Sequence, residues 1–176
     1  MRKYFAVLFL LLFNIMPVIS EDIKFILHDK CINALYKPAV LDFENSKIAV
    51  YRDSRGIILR FELKNPEEEY FNLSEETLSN LINIEHFLAK IKNAVIIEVH
   101  TVILSRNKLQ NLKNWEISSV IAGKIEKTLC SKNNLLNNRI HSVGYGEFLP
   151  ENNTPNNGGK LSNRVDIIIL CNVSGE

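Results

Sequence analysis

Two segments near the C-terminus decide the fold: VGYGEFLP at residues 143–150 and SNRVDIII at residues 162–169. The first predicts a strand that ends in a glycine turn, since Gly favours the backbone angles that turns require. The second ends in an uninterrupted apolar run, which is typical of a buried strand. The residues between them, 151–161, are mostly polar and predict an exposed loop. The sequence therefore predicts that the last two strands of a sheet are joined by this loop, with one strand before it and one after it.

Upstream patterns complete the predicted sheet and add two helices. Strands at 47–53 and 57–63 form a hairpin signal, because apolar and polar residues alternate in the second of them. Ser74 is a suitable N-cap for a helix over 75–92. A buried strand at 94–99 precedes a second helix that begins at Asn114 and carries apolar residues every fourth position. With strands at 139–144 and 164–170, the order is β-β-α-β-α-β-β. This order predicts an α+β sandwich with two helices on one face of a mixed sheet.

The N-terminus predicts export. Arg2 and Lys3 precede an apolar stretch from Phe5 to Ile19, which is the pattern of a cleavable signal peptide over residues 1–20. An uncleaved inner-membrane anchor is the alternative. Residues 21–46 show no clean period and are predicted to form an N-terminal extension that packs on a domain spanning 47–172. With 21 Lys and Arg against 20 Asp and Glu, the net charge predicts no binding of nucleic acid.

The three cysteines, Cys31, Cys130 and Cys171, fit no zinc-binding spacing. Outside the cytoplasm one disulfide is expected as an option, and Cys130–Cys171 is the preferred pair because one residue ends a helix and the other ends the last strand. Buried free thiols are the alternative.

Five segments in order resemble the OmpA/MotB-type peptidoglycan-associated domain family, in particular its MotB-like branch. They span about residues 47–170 and are Tyr70–Glu75, Ile97–Val102, Asn114–Ala122, Gly144–Pro150 and Ser162–Val165. The second takes the place of the family's Gly-His-Thr-Asp signature. The third resembles its Asn-Trp-Glu-Leu-Ser-x-x-Arg-Ala helix start.

The resemblance implies a ligand site and also a defect in it. In the family, the aspartate of the first signature and the arginine of the second bind the zwitterion of diaminopimelate in the peptidoglycan stem peptide. Here those positions are Val102 and Ile121, which carry no charge. The polar residues that the resemblance assigns to the site are His100, Thr101, Asn114, Ser118, Asn152, Asn163 and Arg164.

The expected function is that of a non-catalytic, periplasmic cell-envelope module, with peripheral association to the outer membrane as an option. The four histidines lie on different predicted elements, and no serine or cysteine has a base beside it in the motifs. We therefore expect no enzyme activity, no metal and no cofactor. Two partners remain open: peptidoglycan, bound through an atypical or weakened site, or an envelope protein, bound by a docking module that has lost peptidoglycan binding. We expect no membrane span after signal cleavage.

Overall fold

The structure is a computed structural model and describes residues 24–103, 109–132, 136, 138–148 and 162–171. The predicted signal peptide lies outside the described residues. Among these residues, no helix is both long enough and apolar enough to cross a membrane. The division of the chain at residue 47 into an extension and a domain stays a prediction.

Five strands form one mixed sheet in the order β1-β2-β5-β3-β4. They are β1 (Ala49–Asp53), β2 (Gly56–Glu62), β3 (Val95–His100), β4 (Ile140–Gly144) and β5 (Arg164–Leu170). β3 and β4 run parallel, and the other pairs are antiparallel. The observed sheet confirms the predicted α+β class.

β5 is the central strand and is buried on both faces, as its apolar run predicted. It pairs with β2 on one side and with β3 on the other, so that Asp166 lies opposite Arg60 on β2 and opposite Glu98 on β3. Residues 164–169 are all buried. Val165, Ile167 and Ile169 join the hydrophobic core, whereas Asp166 points to the opposite face.

Four helices are described, two more than the sequence predicted. They are α1 (residues 24–43), α2 (Pro66–Phe71), α3 (Glu75–Leu88) and α4 (Asn114–Lys132). α2 lies between the predicted strand at 57–63 and the predicted helix at 75–92, where no element was predicted. Pro66 stands where a helix start tolerates proline, and Glu67, Glu68 and Glu69 follow in the first turn, where negative charge is favoured. Side chains from α1, α3 and α4 share one hydrophobic core with one face of the sheet.

Residues 24–43 of the predicted extension form the helix α1, although the sequence there showed no clean period. Its buried side chains are Ile32, Leu35, Ala39 and Phe43, which follow one another at three or four residues, the period of a helix face. Phe43 packs on Phe87 of α3 with the ring centroids 5.6 Å apart. The helix continues through the Lys37-Pro38 step.

The disulfide also differs from the predicted pair. Cys171 is bonded to Cys31 of α1, across a sequence separation of 140 residues, and Cys130 is a free thiol. Cys171 follows β5 and joins the core on the side of the sheet where α1 packs. The prediction of Cys130–Cys171 was wrong because the sequence did not reveal that α1 is a helix lying over this end of β5.

Candidate functional site

Most of the predicted site residues meet at one corner of the molecule, where β3 and β4 end and α4 begins. We define this corner as residues 101–103, 114–118, 144–146 and 162–163. Two glycines let β4 approach α4 closely. A Cβ on Gly144 would lie 2.1 Å from the backbone N of Ser119, and a Cβ on Gly146 would lie 2.6 Å from that of Trp115. Gly146 also has φ of 55°, which favours glycine.

Hydroxyl side chains join the strand ends to the first turn of α4. The Thr101 Oγ1 donates to the carbonyl O of Asn114 at 2.8 Å, and the Thr101 N–H donates to the carbonyl O of Gly146 at 3.2 Å. The Ser118 Oγ accepts from the Gly146 N–H at 2.9 Å and donates to the carbonyl O of Trp115 at 3.0 Å. Both hydroxyl side chains are fully buried, so their hydrogen bonds replace water.

Two amide side chains hold the segment that follows β3. The Asn163 Oδ1 accepts from the Val102 N–H at 2.6 Å, and the Asn114 Oδ1 accepts from the Ile103 N–H at 3.2 Å. The carbonyl O of Asn163 also accepts from the Leu63 N–H at 3.0 Å. Thr101, Asn114, Ser118 and Asn163 therefore tie chain segments together, and their oxygens already have partners within the chain.

The other predicted site residues lie elsewhere or outside the description. Asn152 falls outside the described residues. Arg164 is 5% exposed, and its guanidinium donates to Asp166 and to the Ser162 Oγ. His100 ends β3 and is 1% exposed, which leaves little surface for a ligand. The two residues are brought together in a buried cluster beside the corner.

The two positions that replace the family's charged pair have different surroundings. Val102 is half-buried at the corner. Ile121 is fully buried on the face of α4 that also carries Ile117, Ile125 and Leu129, and it belongs to the core. A ligand that approaches the corner would therefore meet an aliphatic side chain at position 102 and would not reach position 121.

A cluster of charged side chains lies on the sheet face opposite the helices. The Arg60 guanidinium binds Asp166 in a fork, with distances of 2.5 Å from Nε to Oδ1 and 2.8 Å from Nη2 to Oδ2. The Arg164 Nε donates to the same carboxylate at 3.1 Å. On β3, Glu98 accepts from the Arg55 Nη1 at 2.8 Å. Each buried carboxylate of this cluster thus has at least one guanidinium partner.

His100 is the exception in this cluster, because neither ring nitrogen has a hydrogen-bond partner among the described residues. Its Nε2 lies 3.8 Å from the Asp166 Oδ2, beyond hydrogen-bond distance. The Tyr145 ring stacks on the imidazole at a centroid distance of 5.5 Å. Burial lowers the pKa of His100 to about 4, and the positive charges of Arg164 and Arg60 add to this effect while Asp166 opposes it. The imidazole is therefore neutral at pH 7.

Glu98, His100 and Asp166 also offer donor atoms within 4.8 Å of one another, which is close enough to surround a metal ion. A divalent ion would have to compete with Arg60 and Arg164 for Asp166 and with Arg55 for Glu98. Because the guanidinium groups already balance the carboxylates, the ion would add buried positive charge without compensation. The two carboxylates of this donor set are accounted for by ion pairs.

The sequence analysis missed this cluster, although a signal existed. The residues of the cluster stand within predicted strands or directly after one. Glu98 and His100 are two residues apart, as are Arg164 and Asp166, and Arg60 stands on a polar position of the predicted hairpin. Side chains two residues apart share a face of a strand, so these residues were candidates for one polar face. The register of the three strands was needed to bring them together.

The fold is similar to that of several solved periplasmic or cell-wall proteins. A putative MotB-like protein from Desulfovibrio vulgaris aligns with a TM-score of 0.64 and 20% identity, over 85% of this chain and 98% of that one. The cell wall anchor of the T6SS from Pseudomonas aeruginosa aligns with a TM-score of 0.58 and 20% identity, over 77% and 96%. The periplasmic domain of Helicobacter pylori MotB gives 0.57 and 17%, over 70% and 78%. No protein-family model and no curated protein matches the chain. The predicted resemblance is thereby confirmed for the fold: the chain has the architecture of MotB-type periplasmic domains.

Proposed function

We propose that this protein is a non-catalytic, periplasmic module of the cell envelope that associates with peptidoglycan through a weakened site. The observation that carries the proposal is the corner itself. The side chains of Thr101, Ser118 and Asn163 form hydrogen bonds to the backbone. Val102 is aliphatic, and Ile121 is fully buried in the core. The hydrogen bonds that shape the corner are therefore present, and aliphatic side chains stand at the two positions where the resemblance implies charged ones.

Three further points support the periplasmic compartment. The Cys31–Cys171 disulfide is of the kind that persists in oxidising surroundings such as the bacterial periplasm. The predicted signal peptide at residues 1–20 points the same way. The structurally similar MotB domains are periplasmic, and the T6SS protein is a cell wall anchor.

The expected affinity for a diaminopimelate-containing wall is low. An ammonium or carboxylate group of the ligand that loses water beside Val102 would gain no opposite charge, and such desolvation costs about 1–3 kcal/mol or more for each group left unpaired. The oxygens of Asn114 and Asn163 each accept from a backbone N–H group already, so a ligand could use only their second lone pair.

Co-sedimentation of the purified protein with peptidoglycan sacculi that contain diaminopimelate tests the proposal. We expect a small bound fraction that exceeds a bovine serum albumin blank and is insensitive to free diaminopimelate. Strong sedimentation that free diaminopimelate abolishes would overturn the idea of a weakened site. No sedimentation above the blank would overturn the association itself.

A substitution at the corner sharpens this test. Val102→Asp restores a carboxylate at a half-buried position, and Val102→Asn is its uncharged control of similar size. We expect the aspartate variant alone to bind more sacculus and to become sensitive to free diaminopimelate, provided that its circular dichroism matches that of the wild type. Equal binding by the two folded variants would mean that position 102 does not face the ligand. Ile121→Arg is unsuited, because it would place a guanidinium in the core.

The second candidate function is a protein-docking module that has lost peptidoglycan binding. Exposed apolar side chains on α1 favour it, since Phe25 is 68% exposed and Leu41 is 72% exposed. A photo-reactive residue at position 41, introduced in the native host, should then cross-link to one envelope protein, and Leu41→Ser should impair the same assembly. This candidate fails if the cross-linked species is absent and sacculus binding is retained.

A further inference from the structure

A groove with an apolar wall and a basic rim lies between α2, α3 and α4, among residues that the candidate site does not use. Its volume is 350 Å³, and its lining includes Phe71, Leu73 and Leu78 together with Lys124 and Lys127. Sites that hold small ligands or anchoring side chains commonly measure about 300–1,000 Å³. The groove is therefore large enough for one or two side chains of a partner.

The apolar wall is exposed to an extent that the fold itself does not require. Phe71 is 50% exposed at the end of α2, and Leu78 is 38% exposed on α3. Ile82, one turn further along α3, is 40% exposed and extends the same stripe. The Phe71 ring is held edge-on against Tyr70 at a centroid distance of 5.2 Å, so this wall has a defined shape.

The rim carries positive charge without a negative partner. Lys124 donates to the carbonyl oxygens of Tyr70 and Phe71, which fixes its ammonium group but does not neutralise it. Neither Lys124 nor Lys127 forms an ion pair with a carboxylate of the described residues, whereas Lys47, Lys64 and Lys90 each do. The groove is lined by two lysines and by no acidic side chain.

We infer that this groove binds a segment of a partner protein in which an apolar side chain stands next to one or more carboxylates. The apolar side chain would cover Phe71 and Leu78, and a carboxylate would pair with Lys127, which is exposed. The ammonium of Lys124 would add to the attraction from a fixed position. The inference uses none of the corner residues, so it stands or falls independently of peptidoglycan binding.

The test follows amide resonances of the full chain by ¹⁵N NMR while a synthetic peptide is added. The probe is acetyl-Glu-Leu-Phe-Glu-amide, and the matched peptides are acetyl-Gln-Leu-Phe-Gln-amide and acetyl-Glu-Ser-Ser-Glu-amide. We expect saturable shifts centred on Phe71, Leu78 and Lys127 with the first peptide, and an affinity at least about tenfold lower with each of the others.

Two variants and a control locate the effect. Lys127→Glu should lower the affinity for the first peptide by about tenfold. Leu78→Ser should also lower this affinity, but it should preserve the preference for the Glu peptide over the Gln peptide. Lys92→Glu makes the same charge change at an exposed lysine outside the groove and should leave the affinity unchanged. The inference is overturned if the Glu and Gln peptides bind alike, if the shifts centre elsewhere, or if Lys127→Glu and Lys92→Glu have the same effect.

Discussion

The buried imidazole of His100 should make the fold sensitive to mild acid. In the folded protein its pKa is lowered from the ordinary 6.5 to about 4, because the side chain is buried and faces Arg164 and Arg60. As the pH falls below 6.5, the unfolded chain binds a proton at this residue while the folded chain does not. The free energy of unfolding therefore decreases as the pH falls towards 4, and the loss levels off below that value.

The size of the effect follows from the two pKa values. A tenfold difference in proton affinity between the two states corresponds to about 1.4 kcal/mol. The pKa of His100 is 6.5 in the unfolded chain and about 4 in the folded chain. This difference removes about 2 kcal/mol of stability between pH 7 and pH 5, and about 3 kcal/mol by pH 4. This loss is a large part of the stability of an ordinary domain.

Urea denaturation between pH 7 and pH 4 measures the effect when wild type is compared with His100→Asn, which keeps polarity but does not titrate. The two proteins differ only at position 100, so the difference between the two curves reports the contribution of the imidazole. Between pH 7 and pH 4, the free energy of unfolding of His100→Asn should rise relative to that of the wild type by about 3 kcal/mol. A constant difference between wild type and His100→Asn, or a difference that grows with rising pH, would refute the reasoning.

Three other substitutions probe the contacts that shape the molecule, each measured by urea denaturation. Cys31→Ser opens the disulfide and should lower the free energy of unfolding by about 2–5 kcal/mol, because the bond closes a long loop. Gly144→Ala should lower it by about 3 kcal/mol, because the new methyl group meets the backbone of α4. Ser118→Ala should lower it by about 1–3 kcal/mol, because the Gly146 N–H loses its acceptor in a buried place.

The chain supplies a matched control for each of these changes. Cys130→Ser alters a free thiol and should leave the disulfide peptide seen by mass spectrometry intact; a Cys130–Cys171 peptide would contradict the structure. Gly123→Ala, where a Cβ meets nothing within 4 Å, should stabilise α4 by about 0.5–1 kcal/mol. Ser119→Ala removes an exposed hydroxyl and should change stability little. Equal effects of the paired serine or glycine variants would argue against the packing at the corner.

The sequence predicted those parts of the fold that depend on local periodicity. The alternation in β2, the apolar run of β5 and the four-residue spacing in α4 each specify an element and its buried face. α1 escaped because Lys37-Pro38 obscured the spacing of Ile32, Leu35 and Ala39. The pairing of Cys171 escaped for the same reason, since only a helix in that place brings Cys31 within reach.

The sequence motifs predicted which residues lie near one another, but not the hydrogen bonds that these residues form. Motif order placed Thr101, Asn114, Ser118 and Asn163 at one corner, where the structure has them. It did not reveal that their oxygens already hydrogen-bond to backbone groups, to an N–H for Asn114, Ser118 and Asn163 and to a carbonyl for Thr101. It also assigned Arg164 to a ligand, whereas the strand register commits this side chain to Asp166. Such competition among partners depends on distances of a few tenths of an ångström, which a residue pattern does not contain.

The covalent link between α1 and the end of β5 determines how the molecule would carry tension. A pull that arrives along the backbone at Cys31 passes through two sulfur atoms into Cys171, and it bypasses the rest of α1 and the hairpin that follows. β5 is flanked by β2 and β3, so its two hydrogen-bonded ladders would share that pull as shear along their length. Reduction of the bond would instead send the same pull through α1, which could peel away one turn at a time. Under a pull from the N-terminal side, the oxidised protein would therefore unfold at a higher force than the reduced protein.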